Sequence, residues 1–200
     1  MATSLHAPLT PRSVHLCIDM QRLFTVDGPW PTPWMDRVLP TVAAIAERFP
    51  ERTVFTRFIT PMRPDELPGT WRRYYEKWPE TIRTRLDPRL LELVPRLARL
   101  APPAHVIDKM RYSAFALSSL AQHLHGRGAD ALVVTGSETD VCVLATVLGA
   151  VDRGFRVVLV TDGVCSSSDE GHDGLLAIYR QRYSQQIETA DSETVLSCWA

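Results

Sequence analysis

Three residues able to do covalent chemistry stand where the chain changes direction: Asp19 in "CIDMQRLF", Lys109 in "IDKMRYSAF" and Cys142 in "TGSETDVCV". The cysteine follows an apolar run, "ALVV", and precedes a segment that reads as a helix, "VLATVLGAVDRG". A free thiol has a pKa near ~8.5 and is mostly protonated at neutral pH. A helix N-terminus and a neighbouring ammonium both favour the thiolate. A carboxylate beside the sulfur can take its proton and later hand it to a leaving amine. Backbone N–H groups left free at a helix start can hold an oxyanion that develops on a carbonyl under attack. Nucleophile, base, cation and oxyanion donors are all on hand, and no histidine is required. Taken singly, each residue has a plainer reading. A strand-end aspartate is often a turn or cap residue, a lysine there is usually solvated, and a cysteine near a helix start is more often core.

The elements that must position these residues alternate. Strands are expected at 14–20, 52–58, 105–110, 131–136 and 156–163, with a short last one near 186–190. Helices are expected at 35–49, where Val38, Val42, Ile45 and Phe49 share a face, and at 87–100, 118–128, 139–154 and 169–185. Such alternation predicts an α/β fold with a parallel sheet covered on both faces. The continuous apolar runs "ALVV" and "RVVLV" suit strands buried on both sides. In open parallel sheets ligands bind beyond the carboxyl ends of the strands. Asp19 ends the first strand, Lys109 ends the third, and Cys142 follows the fourth. Two hundred residues suit a single domain, 1–200. One stretch breaks the rhythm: residues 59–87, dense in Pro, Arg and aromatics, are expected to form a lid or pocket wall, or a subunit interface.

Bulk properties narrow the function classes. A formal net charge of −1 gives no electrostatic reason to expect nucleic acid or a membrane surface as partner. No apolar run approaches the ~18 residues of a membrane span, and "MATSLHAPLTPRSV" has neither leader nor anchor character, so a cytoplasmic protein is expected. The four cysteines, Cys17, Cys142, Cys165 and Cys198, are widely spread without CxxC spacing, which argues against a disulfide framework and a structural zinc. Cys17 and Cys165 read as small buried apolar residues. The turn "DMQRLF" lacks the glycines that close phosphate approach demands.

The same blocks carry a resemblance. "CIDMQRLF", "IDKMRYSAF" and "VVTGSETDVCVLATVLGAVDRGFRVVLVTDG" resemble the three signature blocks of the isochorismatase-like cysteine hydrolases, and "SSSDEGHDGLLAI" is similar to a further stretch of that superfamily. The superfamily includes nicotinamidases, N-carbamoylsarcosine amidases and ureidoacrylate amidohydrolases. The resemblance implies a three-layer α/β/α Rossmann-like fold whose six-stranded, mostly parallel sheet has the order 3-2-1-4-5-6. It implies Cys142 as nucleophile, Asp19 as general base and Lys109 as the stabilising cation. It further implies a cis peptide between Ser137 and Glu138, with the N–H groups of Glu138 and Cys142 as the oxyanion hole. Glu138, Thr139 and Asp140 are then expected to act through backbone or capping. A homo-oligomer, dimer or tetramer, is also implied.

The resemblance has departures. Nicotinamidases of the superfamily bind a metal through an Asp-x-His pair after the second strand; here that place reads "FTRFITP", with Arg57 and Phe58. His123 and His125 diverge on a helix, and the acidic neighbours of His172 suit a helix start. No metal and no cofactor are therefore expected. The presence of Cys142 counts against the branch that hydrolyses isochorismate's vinyl ether. The expected activity is hydrolysis of a C–N bond in a small amide, ureido or carbamoyl compound through a thioester. The alternatives are a vinyl ether hydrolase and a non-catalytic small-molecule binding module. Phe24, Trp71, Tyr112 and Trp78 are candidate substrate contacts, and Arg57 or Arg72 a candidate carboxylate ligand.

Overall fold

The structure, a computed structural model, describes residues 5–199. The first four residues of the segment considered for a leader lie outside the described residues, as does Ala200.

Six strands form one sheet: β1 (Val14–Ile18), β2 (Thr53–Phe58), β3 (His105–Lys109), β4 (Ala131–Ser137), β5 (Arg156–Cys165) and β6 (Ile187–Ala190). They lie in the order β3-β2-β1-β4-β5-β6, and each neighbouring pair is parallel. Every residue of β1 and β4 is buried, as strands at the middle of a doubly covered sheet require. The helices are α1 (Met35–Arg48), α2 (Thr70–Lys77), α3 (Pro95–Ala98), α4 (Leu120–Gly126), α5 (Leu144–Val151), α6 (Asp169–Arg182) and α7 (Ser192–Ser197).

Strand alternation divides the core into two layers. Leu16, Ile18, Leu132 and Val134 face Leu120 and Leu124 of α4, Val147 of α5 and Tyr179 of α6. On the opposite face Cys17 and Phe55 meet Val42 of α1 and Leu97 of α3. On that same side Val133 and Val158 meet Ile45 of α1 and Val195 of α7. His15 of β1 is the polar exception. It is buried, 3.2 Å from Thr53 Oγ1 on β2 and 2.8 Å from Thr135 Oγ1 on β4. Burial pushes its imidazole down to about 3, so it stays neutral.

The helix expected over 87–100 is not continuous. A single turn spans Pro88–Leu91, and the chain then runs extended into α3. Proline carries no N–H and disfavours helix at the preceding residue, so Pro95 cannot continue a helix begun at Pro88. The freed backbone pairs with the segment after β1: Arg22 N donates to Glu92 O at 3.0 Å and Val94 N to Met20 O at 2.9 Å. Gln21 fixes this junction, accepting from Phe58 N at 2.6 Å and donating to Leu91 O at 2.8 Å. Among the described residues no helix is long and apolar enough to cross a membrane.

The sheet order reverses between β1 and β4, which opens a crevice at their carboxyl ends. The register pairs Ile18 with Gly136 and Phe58 with Lys109, so the ends of β1, β2, β3 and β4 finish along one rim. The stretch over 59–87 rises from this rim and includes α2. Its two ends meet again, Arg83 N donating to Pro61 O at 2.9 Å and Thr84 Oγ1 to Met62 O at 3.1 Å.

Candidate active site

Asp19 follows β1 in a left-handed conformation, φ 49°, and its side chain is fully buried. Thr56 of β2 holds it on both sides: the threonine hydroxyl accepts from Asp19 N at 3.1 Å and donates to Asp19 Oδ1 at 2.6 Å. Lys109, the last residue of β3, places Nζ 2.6 Å from Asp19 Oδ2, donates to Arg111 O at 3.0 Å and lies over the Phe58 ring at 4.9 Å. Despite that approach, the angles leave Oδ2 without a regular hydrogen bond, whereas Oδ1 is satisfied. Burial alone would lower the Lys109 ammonium, but Asp19 and Cys142 outweigh it and hold the group above its ordinary range.

The sulfur arrives on a specialised turn. Gly136 near the end of β4 has φ 112°, and a Cβ there would lie 2.1 Å from Ile18 O, so only glycine lets β4 approach β1 this closely. The Ser137–Glu138 peptide is cis. A wide turn, Thr139–Val143, then precedes α5, with Val143 N donating to Glu138 O at 3.0 Å. The helix expected over 139–154 therefore starts regular α geometry only at Leu144. Glu138, Thr139 and Asp140 do more than cap. Their side chains fasten the turn to the connection between β5 and α6 and to α6 itself. Ser166 Oγ donates to Asp140 Oδ1 at 2.5 Å, Ser167 N to Glu138 Oε2 at 2.8 Å, and Thr139 Oγ1 lies 2.8 Å from His172 Nδ1.

Cys142 in this turn is 6% exposed and lies close enough to Asp19 and Lys109 for both to act on its thiol. Burial pushes its thiol up, the Lys109 ammonium pulls it down, and the Asp19 carboxylate pushes it up again; the result is a thiol held above its ordinary range. The sequence led to the expectation that a helix start and an ammonium would favour the thiolate. Burial opposes that effect and pushes the thiol up. Cys17 and Cys165 are also buried, and all four cysteines are free.

Cys142 lines a cavity of about 360 Å³ whose walls are aromatic: Phe24, Trp30, Phe58, Tyr74, Trp78 and Tyr112. Trp30 organises them, with ring centroids 6.1 Å from Phe24, 5.9 Å from Tyr74 and 6.4 Å from Trp78. Of the candidate contacts, Phe24, Trp78 and Tyr112 line the cavity. Trp71 does not; it backs Tyr112, 4.7 Å away. Arg57 is no carboxylate ligand for the cavity. It stands opposite Asp108 in the β2–β3 register and is spent on Asp108 at 2.8 Å and Glu92 at 2.9 Å. Arg72 pairs with Glu76 at 2.9 Å on the exposed side of α2. Within 59–87, α2 and the residue after it supply Tyr74 and Trp78, so this stretch walls the cavity.

Sequence reasoning missed Thr56 and Trp30. A threonine inside "TVFTRF" looks like a strand former, and Trp30 sits in a Pro-rich loop; only the registers and ring contacts reveal them. The position where the resemblance would place a metal-binding acid holds Arg57 in its ion pairs and the buried Phe58, which offers no donor set. Among the described residues no cluster of three or more His, Cys, Asp or Glu side chains could hold a metal ion.

Comparison with known proteins matches this geometry to a family. The family model described as "Isochorismatase domain" matches residues 13–191. The maleamate amidohydrolase of Pseudomonas putida is 31% identical over 87 residues, 44% of this chain and 41% of that protein. The N-carbamoylsarcosine amidase of an Arthrobacter species is 32% identical over 155 residues, 74% of this chain and 57% of that one. The chain spans about half the length of these curated relatives. The crystal structure of the nicotinamidase/pyrazinamidase PncA from Bacillus subtilis superposes with a TM-score of 0.72 at 27% identity, covering 88% of this chain and 98% of that one. With a family model spanning nearly every element of the sheet, the chain belongs to the isochorismatase family.

Proposed function

We propose that this member of the isochorismatase family is a cysteine-dependent amidohydrolase that cleaves a C–N bond of a small amide, ureido or carbamoyl compound without a metal. The observation that carries the reading is the convergence, from three strand ends, of a thiol that lines the cavity with a buried carboxylate and ammonium behind it. The named amidohydrolase and amidase relatives support it.

In this reading the Cys142 thiol passes its proton to Asp19 Oδ2 as Sγ attacks the substrate carbonyl carbon. The carbonyl electron pair moves to oxygen, where the N–H groups of Glu138 and Cys142 receive it. Lys109 stays charged throughout and offsets the negative charge that develops beside Asp19. Collapse of the tetrahedral adduct breaks the C–N bond, and the proton on Asp19 goes to the departing nitrogen. A water molecule then gives a proton to Asp19, attacks the thioester and releases the acid, and Cys142 recovers its proton. Thr56 holds the carboxyl in place by occupying Oδ1. A homo-oligomer is part of the same reading, with light scattering of the purified chain as its test.

Cys142→Ala should cut ammonia release by at least ~10³-fold while circular dichroism and the unfolding midpoint stay within those of the parent. Activity that survives the substitution, with pyruvate released from isochorismate, would replace this reading with vinyl ether hydrolysis.

A further inference from the structure

Building on the amidohydrolase reading, we propose that the substrate is an amide whose body carries an alkyl- or quaternary ammonium group, selected by the Glu138 carboxylate and the rings of Trp30, Tyr74 and Trp78. Glu138 is the only acidic or basic side chain among the residues lining the cavity. Its Oε2 is held by Ser167 N at 2.8 Å and by the Ser167 hydroxyl, and no basic side chain pairs with it among the described residues. Three of the neighbouring cations are paired with carboxylates. Lys109 is bound to Asp19, Arg57 to Asp108 and Glu92, and Arg72 to Glu76. Arg111 donates to Met110 O at 2.8 Å and lies over Trp71 at 5.4 Å.

A substrate carboxylate would therefore enter an aromatic space that already holds one anion and has no basic side chain in its lining. An ammonium meets the opposite field, because the faces of Trp and Tyr rings attract cations. Rings of this wall already carry such groups: Lys77 Nζ lies 5.5 Å from the Trp78 ring centroid and Lys109 Nζ 4.9 Å from that of Phe58. Burial raises the Tyr112 and Tyr74 phenols, and Glu138 adds to both shifts. Trp30, Tyr74 and Trp78 stand at mutual angles, 45° and 78° from the central ring, so they enclose a compact group from more than one side.

The test is calorimetric binding to the full-length Cys142→Ala chain, in which no turnover occurs. Three benzamides of similar outline serve as probes: 4-(trimethylammonio)benzamide, its uncharged isostere 4-tert-butylbenzamide, and 4-carbamoylbenzoate. The ammonium compound should bind about tenfold tighter than the tert-butyl one, and the carboxylate at least about tenfold weaker. Adding Glu138→Gln should shrink the ammonium preference at least about threefold; Trp78→Leu, which leaves the turn untouched, should do the same. Equal affinity for the ammonium and tert-butyl compounds, a carboxylate bound as tightly as the tert-butyl compound, or no binding by any of the three overturns the proposal. Selective binding with an inactive parent enzyme would instead sink the amidohydrolase reading, so the two failures are distinct.

Discussion

The floor and the wall of the cavity are built on different principles. The floor is polar and closely tied: Asp19 is hydrogen-bonded at its N–H and Oδ1 and ion-paired at Oδ2, Lys109 has a carboxylate and a carbonyl, and the Cys142 turn is tied by Glu138, Thr139 and Asp140. The wall is a stack of rings with few directional bonds. Trp30 Nε1 and, behind it, Tyr75 Oη are buried without a hydrogen-bond partner. A floor of this kind fixes reacting atoms to fractions of an ångström, as covalent chemistry demands. A wall of packed rings fixes only shape and field. In the proposed amidohydrolase, rate belongs to the floor and choice of substrate to the wall.

The largest expected effect tests the floor. Lys109→Met should leave the Asp19 carboxylate buried and unpaired, lowering stability by about 3–5 kcal/mol and activity by at least ~10³-fold. Asp19→Asn combined with Lys109→Met should regain much of that stability in urea unfolding yet stay inactive. A stable and active Lys109→Met protein would break the contrast. A smaller effect tests the wall. Trp78→Ala should raise KM about tenfold with kcat changed less than about threefold, because a ring that binds ground state and transition state alike alters only KM. A kcat that falls as far as KM rises would mean that the wall takes part in the chemistry.

The smallest effect lies beneath the floor, at His15. Its folded pKa of about 3 is below the ordinary 6.5, so the unfolded chain takes up a proton that the folded chain refuses. Stability should therefore be complete above pH 6.5 and fall as pH drops from there toward 3. Between pH 6.5 and 4.5 the loss from this residue should reach about 2 kcal/mol in urea unfolding. His15→Gln should flatten that slope; an unchanged slope would show that His15 is not the group responsible.

The same contrast explains how much of this protein could be read from its residues. Asp19, Lys109 and Cys142 were legible because each closes or follows an apolar run, and parallel topology sends those ends to one rim. The sheet order was legible through the family's motif blocks. Arg57 misled because residue type says nothing about which side of a strand it faces: one step along β2, Thr56 serves the site, while Arg57 turns to Asp108. The helix expected over 87–100 failed because its apolar period was real but its prolines broke the hydrogen-bond ladder, and Gln21 captured the released backbone. The ring wall stayed hidden because aromatic packing between "GPWP" and α2 depends on a loop path that no local period encodes.

The hydrogen bond from Arg83 to Pro61 closes the neck of the stretch that supplies Tyr74 and Trp78. A segment that leaves and rejoins the scaffold at one point behaves as an exchangeable cassette. Changes within it need not pass through the strand registers beneath, which hold Asp19, Lys109 and Cys142 together.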